Sequence, residues 1–177
     1  TLLCNYDILL VSSLLWLGSM NLTTKYDLIV IGSGPGGRRA AIQAAKFSKK
    51  VLVIEKNERV GGVSVHTGTI PSKTLRETAL NLSGWHEREF YGQSYRVKQN
   101  ITAADLKNRL HMTLDHEVEV LKHQFARNAV ETLNGKARFV SPTTIEIESD
   151  DGEVEQFSAK KFIIAVGTKP YRPEEIP

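Results

Sequence analysis

The stretch from Lys25 to Lys56, KYDLIVIGSGPGGRRAAIQAAKFSKKVLVIEK, constrains the fold more than any other part of the chain. Leu28-Ile29-Val30-Ile31 is a continuous apolar run, the pattern of a parallel strand covered on both faces. Gly32, Gly34 and Gly37 follow as G-x-G-x-x-G, and they serve three separate needs, namely a tight turn, close approach of backbone to a pyrophosphate, and close packing of helix on strand. The helix that opens at Pro35 points its N-terminal amides at that phosphate, and Ala40, Ala41, Ala44 and Ala45 keep it near the sheet. A second strand, Val51-Leu52-Val53-Ile54, ends in Glu55, about 20 residues past the turn, where a carboxylate can accept both hydroxyl hydrogens of a ribose. A glycine turn alone says little. A strand before it, a helix after it and an acid at the next strand end make a dinucleotide-binding βαβ unit, and the expected class is α/β, Rossmann-like.

With 177 residues the chain holds one domain, or one and part of the next. Hydrophobic residues at 41% and charged residues at 24% exclude intrinsic disorder. The net charge of +3 comes from basic residues scattered in ones and twos, so no nucleic-acid surface is expected. Cys4 is the single cysteine, which excludes an intrachain disulfide or a cysteine-based zinc site, and no metal site is expected. The run Ile8–Leu17 is shorter than the roughly 20 residues of a membrane span and lacks the positive flank of a secretory signal. Residues 1–19 are therefore expected to be an upstream or non-native extension, with translation from Met20; a genuine hydrophobic extension or a truncated signal is the other reading.

The segment RVGGVSVHTGTIPSK, Arg59 to Lys73, resembles the redox-active segment of the flavin-dependent pyridine nucleotide-disulfide oxidoreductases, G-G-x-C-x-x-x-x-C-x-P-S-K. Gly61, Gly62, Gly68, Ile70, Pro71, Ser72 and Lys73 agree with it, whereas Ser64 and Thr69 stand at the cysteine positions. Hydroxyls cannot form a disulfide or a thiolate, so dithiol chemistry is excluded. The family scaffold without its dithiol looks like the soluble, Si-specific transhydrogenase branch. Two later segments resemble family motifs: Gly135-Lys136-Ala137-Arg138-Phe139, and Phe162 to Pro170, where Val166 replaces a threonine.

The resemblance implies an incomplete FAD-binding domain over residues 20–177, with the NAD(P)-binding and dimerisation domains missing. It implies FAD held by Gly32, Ser33, Gly34, Pro35, Gly36 and Gly37 at the pyrophosphate, Glu55 at the ribose, and Lys56, Asn57, Glu58, Arg59, Val60, Gly61, Gly62, Val63 and Ser64 along the rest of the cradle. Ala137 would meet the adenine, Gly167 would belong to the second flavin motif, and Lys73 would stabilise negative charge near the flavin. The implied reaction moves hydride from NADPH through FAD to NAD+ in a cytoplasmic homo-oligomer without membrane partners, the fragment alone being inactive. Two alternatives stay open: a thiol-independent flavin reductase with another acceptor, and a truncated FAD-binding or inert module.

Between these motifs, Leu106, Leu110, Leu114, Val118, Leu121, Phe125 and Leu133 mark a long amphipathic helix, capped by Thr102 with Asp105 and ended by Gly135. Thr143–Ile147 and Glu153–Phe157 flank Asp151-Gly152 as a hairpin insertion. His66 is expected to be satisfied by local hydrogen bonds. His111, His116 and His123 are expected on the helix surface, and Trp85 and Tyr91 as packing aromatics. The sequon at Asn100 would go unused in the cytoplasm.

Overall fold

The computed structural model describes residues 24–84, 102–168, 171–174 and 176. The readings of the extension 1–19 with Cys4, of Met20, Trp85, Tyr91, Asn100 and Lys169-Pro170 lie outside the described residues. In chain order the elements are β1 (Thr24–Ile31), α1 (Pro35–Lys46), β2 (Val51–Glu55), α2 (Gly62–His66), α3 (Thr69–Ser83) and α4 (Ala103–Arg127), then β3 (Glu131–Asn134), β4 (Lys136–Ser141), β5 (Thr144–Glu148) and β6 (Val154–Ile164). They form a six-stranded sheet in the order β3-β2-β1-β6-β5-β4. The pairs β2–β3, β1–β2 and β1–β6 are parallel, and β5–β6 and β4–β5 are antiparallel.

The apolar runs are buried on both sides, as a central parallel strand requires: all five residues of β2 are buried, as are Leu28, Ile29 and Val30 of β1. Leu28, Val30, Val51 and Val53 join the core with Ala41 of α1 and with Leu114, Val118, Leu121 and Phe125 of α4. Ile29, Leu52 and Ile54 pack on the other side with Ile145, Ile147 and Phe157. That second layer follows from one connection. Gly135 alone joins β3 to β4, yet these strands are the two ends of the sheet order. Laid flat, six strands would separate those ends by roughly 24 Å, far beyond the reach of one residue. The sheet therefore folds over, so that β4 and β5 cover the face bearing Ile29 and Leu52. Gly135, with φ +150°, sits so tightly in the bend that a Cβ would lie 2.6 Å from the Glu148 carbonyl oxygen.

Two sequence expectations need correction. The long helix ends at Arg127 with Asn128 as its C-cap, not at Gly135. Leu133 belongs to β3; its spacing from Phe125 fits a helical period by coincidence, and the break falls at Ala129, whose φ of +53° no glycine advertises. The segments read separately as a hairpin arm and a second flavin motif share one strand: β6 pairs with β5 over Val154–Ser158 and with β1 over Phe157–Ile164. Residues 69–83, for which the sequence carries no strong apolar stripe and raised no expectation, form a helix with no fully buried residue. The capping box at Thr102 and Asp105 and the stripe from Leu114 to Phe125 are as expected.

The exposed strand β3 is held at its start by the Tyr26 hydroxyl, which donates to Glu131 Oε2 at 2.6 Å, while Lys50 Nζ stands 4.6 Å from the centre of the Tyr26 ring. Burial, and then the bond to the Glu131 carboxylate, push the Tyr26 phenol well above its ordinary value of 10.0. The folded state thus favours the neutral phenol, so its contribution is complete below about pH 10 and is lost as pH rises towards the folded value. Tyr26→Phe should cost about 0.5–1.5 kcal/mol near neutral pH and flatten the alkaline fall in stability, both read from urea midpoints against pH. Gly37 supplies a second test. A Cβ there would run into the Gly32 carbonyl oxygen, whereas one at Gly36 meets nothing within 4 Å. Gly37→Ala should destabilise by more than about 2 kcal/mol and Gly36→Ala by less than about 0.5 kcal/mol in the same melts.

Candidate functional site

The carboxyl ends of β1, β2, β3 and β6 share one edge of the sheet, where ligands of such folds bind. Backbone bonds join the loops that leave them: Gly32 N–H donates to Ile54 O at 2.7 Å, Gly135 N–H to Glu55 O at 2.9 Å and Ala165 N–H to Ile31 O at 2.8 Å. The edge gathers the residues singled out in sequence other than Lys73. Gly32–Gly37 leave β1, Lys56–Ser64 leave β2, Ala137 lies just beyond β3, and Gly167 follows β6.

Glu55 is not a solvated strand-end acid. It is buried, and its carboxylate accepts four hydrogen bonds. Oε2 takes Ser33 N–H at 3.0 Å and Ser33 Oγ–H at 2.5 Å, and Oε1 takes the backbone and side-chain N–H groups of Asn57, each at 3.1 Å. Ser33 Oγ also accepts from Gly61 N–H at 2.9 Å. One carboxylate thereby ties the glycine turn to both parts of the following loop, and fills its four lone-pair directions in doing so. A ribose hydroxyl can reach it only if one donor withdraws, and Asn57, whose residue is exposed, is the one free to move.

The glycines divide by function. Gly32 has φ +106°, and a Cβ on it would strike the Ala165 carbonyl oxygen; with Gly37 it is required by the protein itself. Gly34 has ordinary extended angles, φ −62° and ψ 179°, and a Cβ there meets nothing within 4 Å. Among the described residues no contact explains glycine at 34. A ligand backbone-close at that point does, so the turn fits the pyrophosphate of a dinucleotide. Gly62 closes the turn from the other side, 3.0 Å separating its notional Cβ from Gly34 Cα.

The remaining candidates are placed as follows. Lys56, Asn57, Glu58 and Val63 are exposed, and Val60 is buried in the core. Arg59 pairs with Asp115 of α4 at 2.5 Å, an exposed pair. Ser64 Oγ donates to Gly61 O at 3.3 Å. His66 Nε2 lies 2.9 Å from Val60 O, and a carbonyl only accepts, so that nitrogen carries the proton; the local hydrogen bond expected for it is there. Lys73 is exposed on α3, and among the described residues no hydrogen bond or ion pair joins it to the glycine turn. Sequence reasoning missed a cleft of about 360 Å³ beside Glu55, walled by Asn57, Phe125, Val130, Thr132, Leu133 and Asn134 among others. Asn134 lies opposite Glu55 in the β2–β3 register, a relation invisible while 131–134 is read as helix.

Ser33→Ala should leave Gly61 N–H without its acceptor and Glu55 without a donor. The expected loss is about 1–3 kcal/mol, read as a lower urea midpoint at unchanged slope. A midpoint equal to that of the unsubstituted protein would mean the network holds nothing together.

The pattern of the pyridine nucleotide-disulphide oxidoreductases matches residues 26–177. A soluble pyridine nucleotide transhydrogenase of Mycobacterium tuberculosis (strain ATCC 25177 / H37Ra) is 48% identical over 153 residues, 86% of this chain and 33% of that protein. One of Colwellia psychrerythraea is 42% identical over 151 residues, 85% of this chain and 32% of the relative. The corresponding protein of Escherichia coli O9:H4 is 39% identical over the same length, with the same coverage. The chain thus spans about a third of the length of the relatives it matches. Glycine turn, strand-end acid and sheet order agree with that match, and the chain belongs to the pyridine nucleotide-disulphide oxidoreductase family.

Proposed function

We propose that this chain is the N-terminal part, residues 20–177, of the FAD-binding domain of a cytoplasmic NAD(P)+ transhydrogenase. In the complete protein, hydride passes from NADPH to NAD+ by way of the flavin, with Si stereospecificity, in a homo-oligomer. The observation that carries this reading is the pairing of an intact glycine turn and Glu55 with hydroxyls, Ser64 and Thr69, where dithiol relatives have cysteines. The names of the similar proteins support the same activity.

When bound, FAD supplies the two-electron chemistry. The residues of this chain supply its position. The amides at the start of α1 and the bare backbone of Gly34 would hold the pyrophosphate. Glu55 would take the adenosine ribose once Asn57 withdraws its side chain, and Ala137 would meet the adenine. Gly61, Gly62 and Gly167 would carry backbone past the cofactor. Lys73, unpaired in the described structure, would turn its ammonium towards negative charge on the flavin. Ser64 and Thr69 can bind and orient but cannot store electrons, so this segment adds no thiol pair to the two-electron inventory of the flavin.

Anaerobic titration of the complete, flavin-loaded protein with NADPH should therefore bleach the oxidised flavin at about one equivalent, with no long-wavelength thiolate band. The bleached protein should then reduce thio-NAD+. Uptake of two equivalents per flavin would reveal a second redox centre, and bleaching without onward transfer to thio-NAD+ would assign the protein to another acceptor.

A further inference from the structure

Of the four hydrogen bonds on the Glu55 carboxylate, three are built into the turn and one is not. Two come from Ser33, which is 1% exposed, and the Ser33 hydroxyl is held a second time because it accepts from Gly61 N–H. The third is donated to Oε1 by the backbone N–H of Asn57, in the chain that leaves β2. The fourth, from Asn57 Nδ2–H to the same oxygen at 3.1 Å, comes from an exposed residue whose amide group makes no other hydrogen bond among the described residues.

Asn57 also lines the cleft of about 360 Å³ beside Glu55, so rotation about its own side-chain bonds uncovers one lone pair of Oε1 while the other three bonds stay made. A ribose hydroxyl is a donor of the kind that lone pair accepts, and the uncovered place takes one hydroxyl, not two. The exchange replaces one hydrogen bond to a carboxylate by another, and what it costs is the amide bond given up. We propose, on the reading of this edge as a site for FAD, that Asn57 is a latch that competes with the adenosine ribose for Glu55. Its amide completes the network of the protein itself and lowers the affinity for the cofactor by the strength of that one bond. Such a residue acts with a sign opposite to that of one that grips the ligand. Removing its side chain loosens the protein and tightens the complex.

The test is Asn57→Ala in the complete protein, with the urea midpoint of the apoprotein and its affinity for FAD, read by flavin fluorescence, measured side by side. Asn57 does not have left-handed backbone angles, so alanine takes the position without strain, and circular dichroism checks the fold. The midpoint should fall while FAD affinity rises about three- to tenfold, the scale of one net hydrogen bond. The rise should vanish with an FAD analogue whose adenosine ribose lacks both hydroxyls. A fall in FAD affinity would overturn the latch and make Asn57 a residue that holds the cofactor or its loop. Unchanged affinity would mean that Asn57 does not compete, and an equal rise with the analogue would place the competition away from the ribose. Gly34→Val separates these failures from a failure of the site. If the unsubstituted protein binds no FAD, or Gly34→Val binds it as tightly, the reading of this edge falls and the latch with it.

Discussion

The buried carboxylate of Glu55 is the interaction on which the functional edge of this protein depends. Four donors converge on it from the loops after β1 and β2, and its backbone carbonyl takes the N–H of Gly135 after β3. A buried charge is tolerable only when hydrogen-bonded in this way, so the loops are held as a consequence of satisfying it. The network also sets a condition on ligand binding. Any hydroxyl that takes a place on Glu55 displaces a donor, and the exposed Asn57 moves more easily than the buried Ser33.

The same edge shows why glycines in one motif answer to different constraints. Gly32 and Gly37 are fixed by the protein: a Cβ at either runs into backbone carbonyl oxygen. Among the described residues nothing fixes Gly34. The distinction matters because a glycine-rich turn without a ligand needs only the first two, and the third marks a place reserved for something else.

Local features were legible in sequence because they are local. The apolar run of β1, the small residues of α1, the acid ending β2 and the capping box of α4 each show in a window of a few residues. What escaped was set by contacts distant in the chain. Residues 131–134 form a strand because β2 offers an open edge and Tyr26 a partner for Glu131, neither of which shows in the residues VETLN. The one-residue link at Gly135 folds the sheet over itself, and β6 runs unbroken through two layers because β5 and β1 pair with successive parts of it. In the site, the glycines and Glu55 were legible as a motif. The cleft beside Glu55 was not, since half of its wall comes from α4 and β3.

The central claim is that Gly34 is bare for the sake of a bound dinucleotide. The most direct measurement pairs FAD affinity with thermal stability for Gly34→Ala in the complete protein. With extended backbone and open space at that position, the apoprotein should melt within about 0.5 kcal/mol of the unsubstituted one, or slightly higher, while FAD binding weakens by more than about tenfold. An apoprotein markedly less stable, or a variant that holds FAD as tightly as before, would contradict the account.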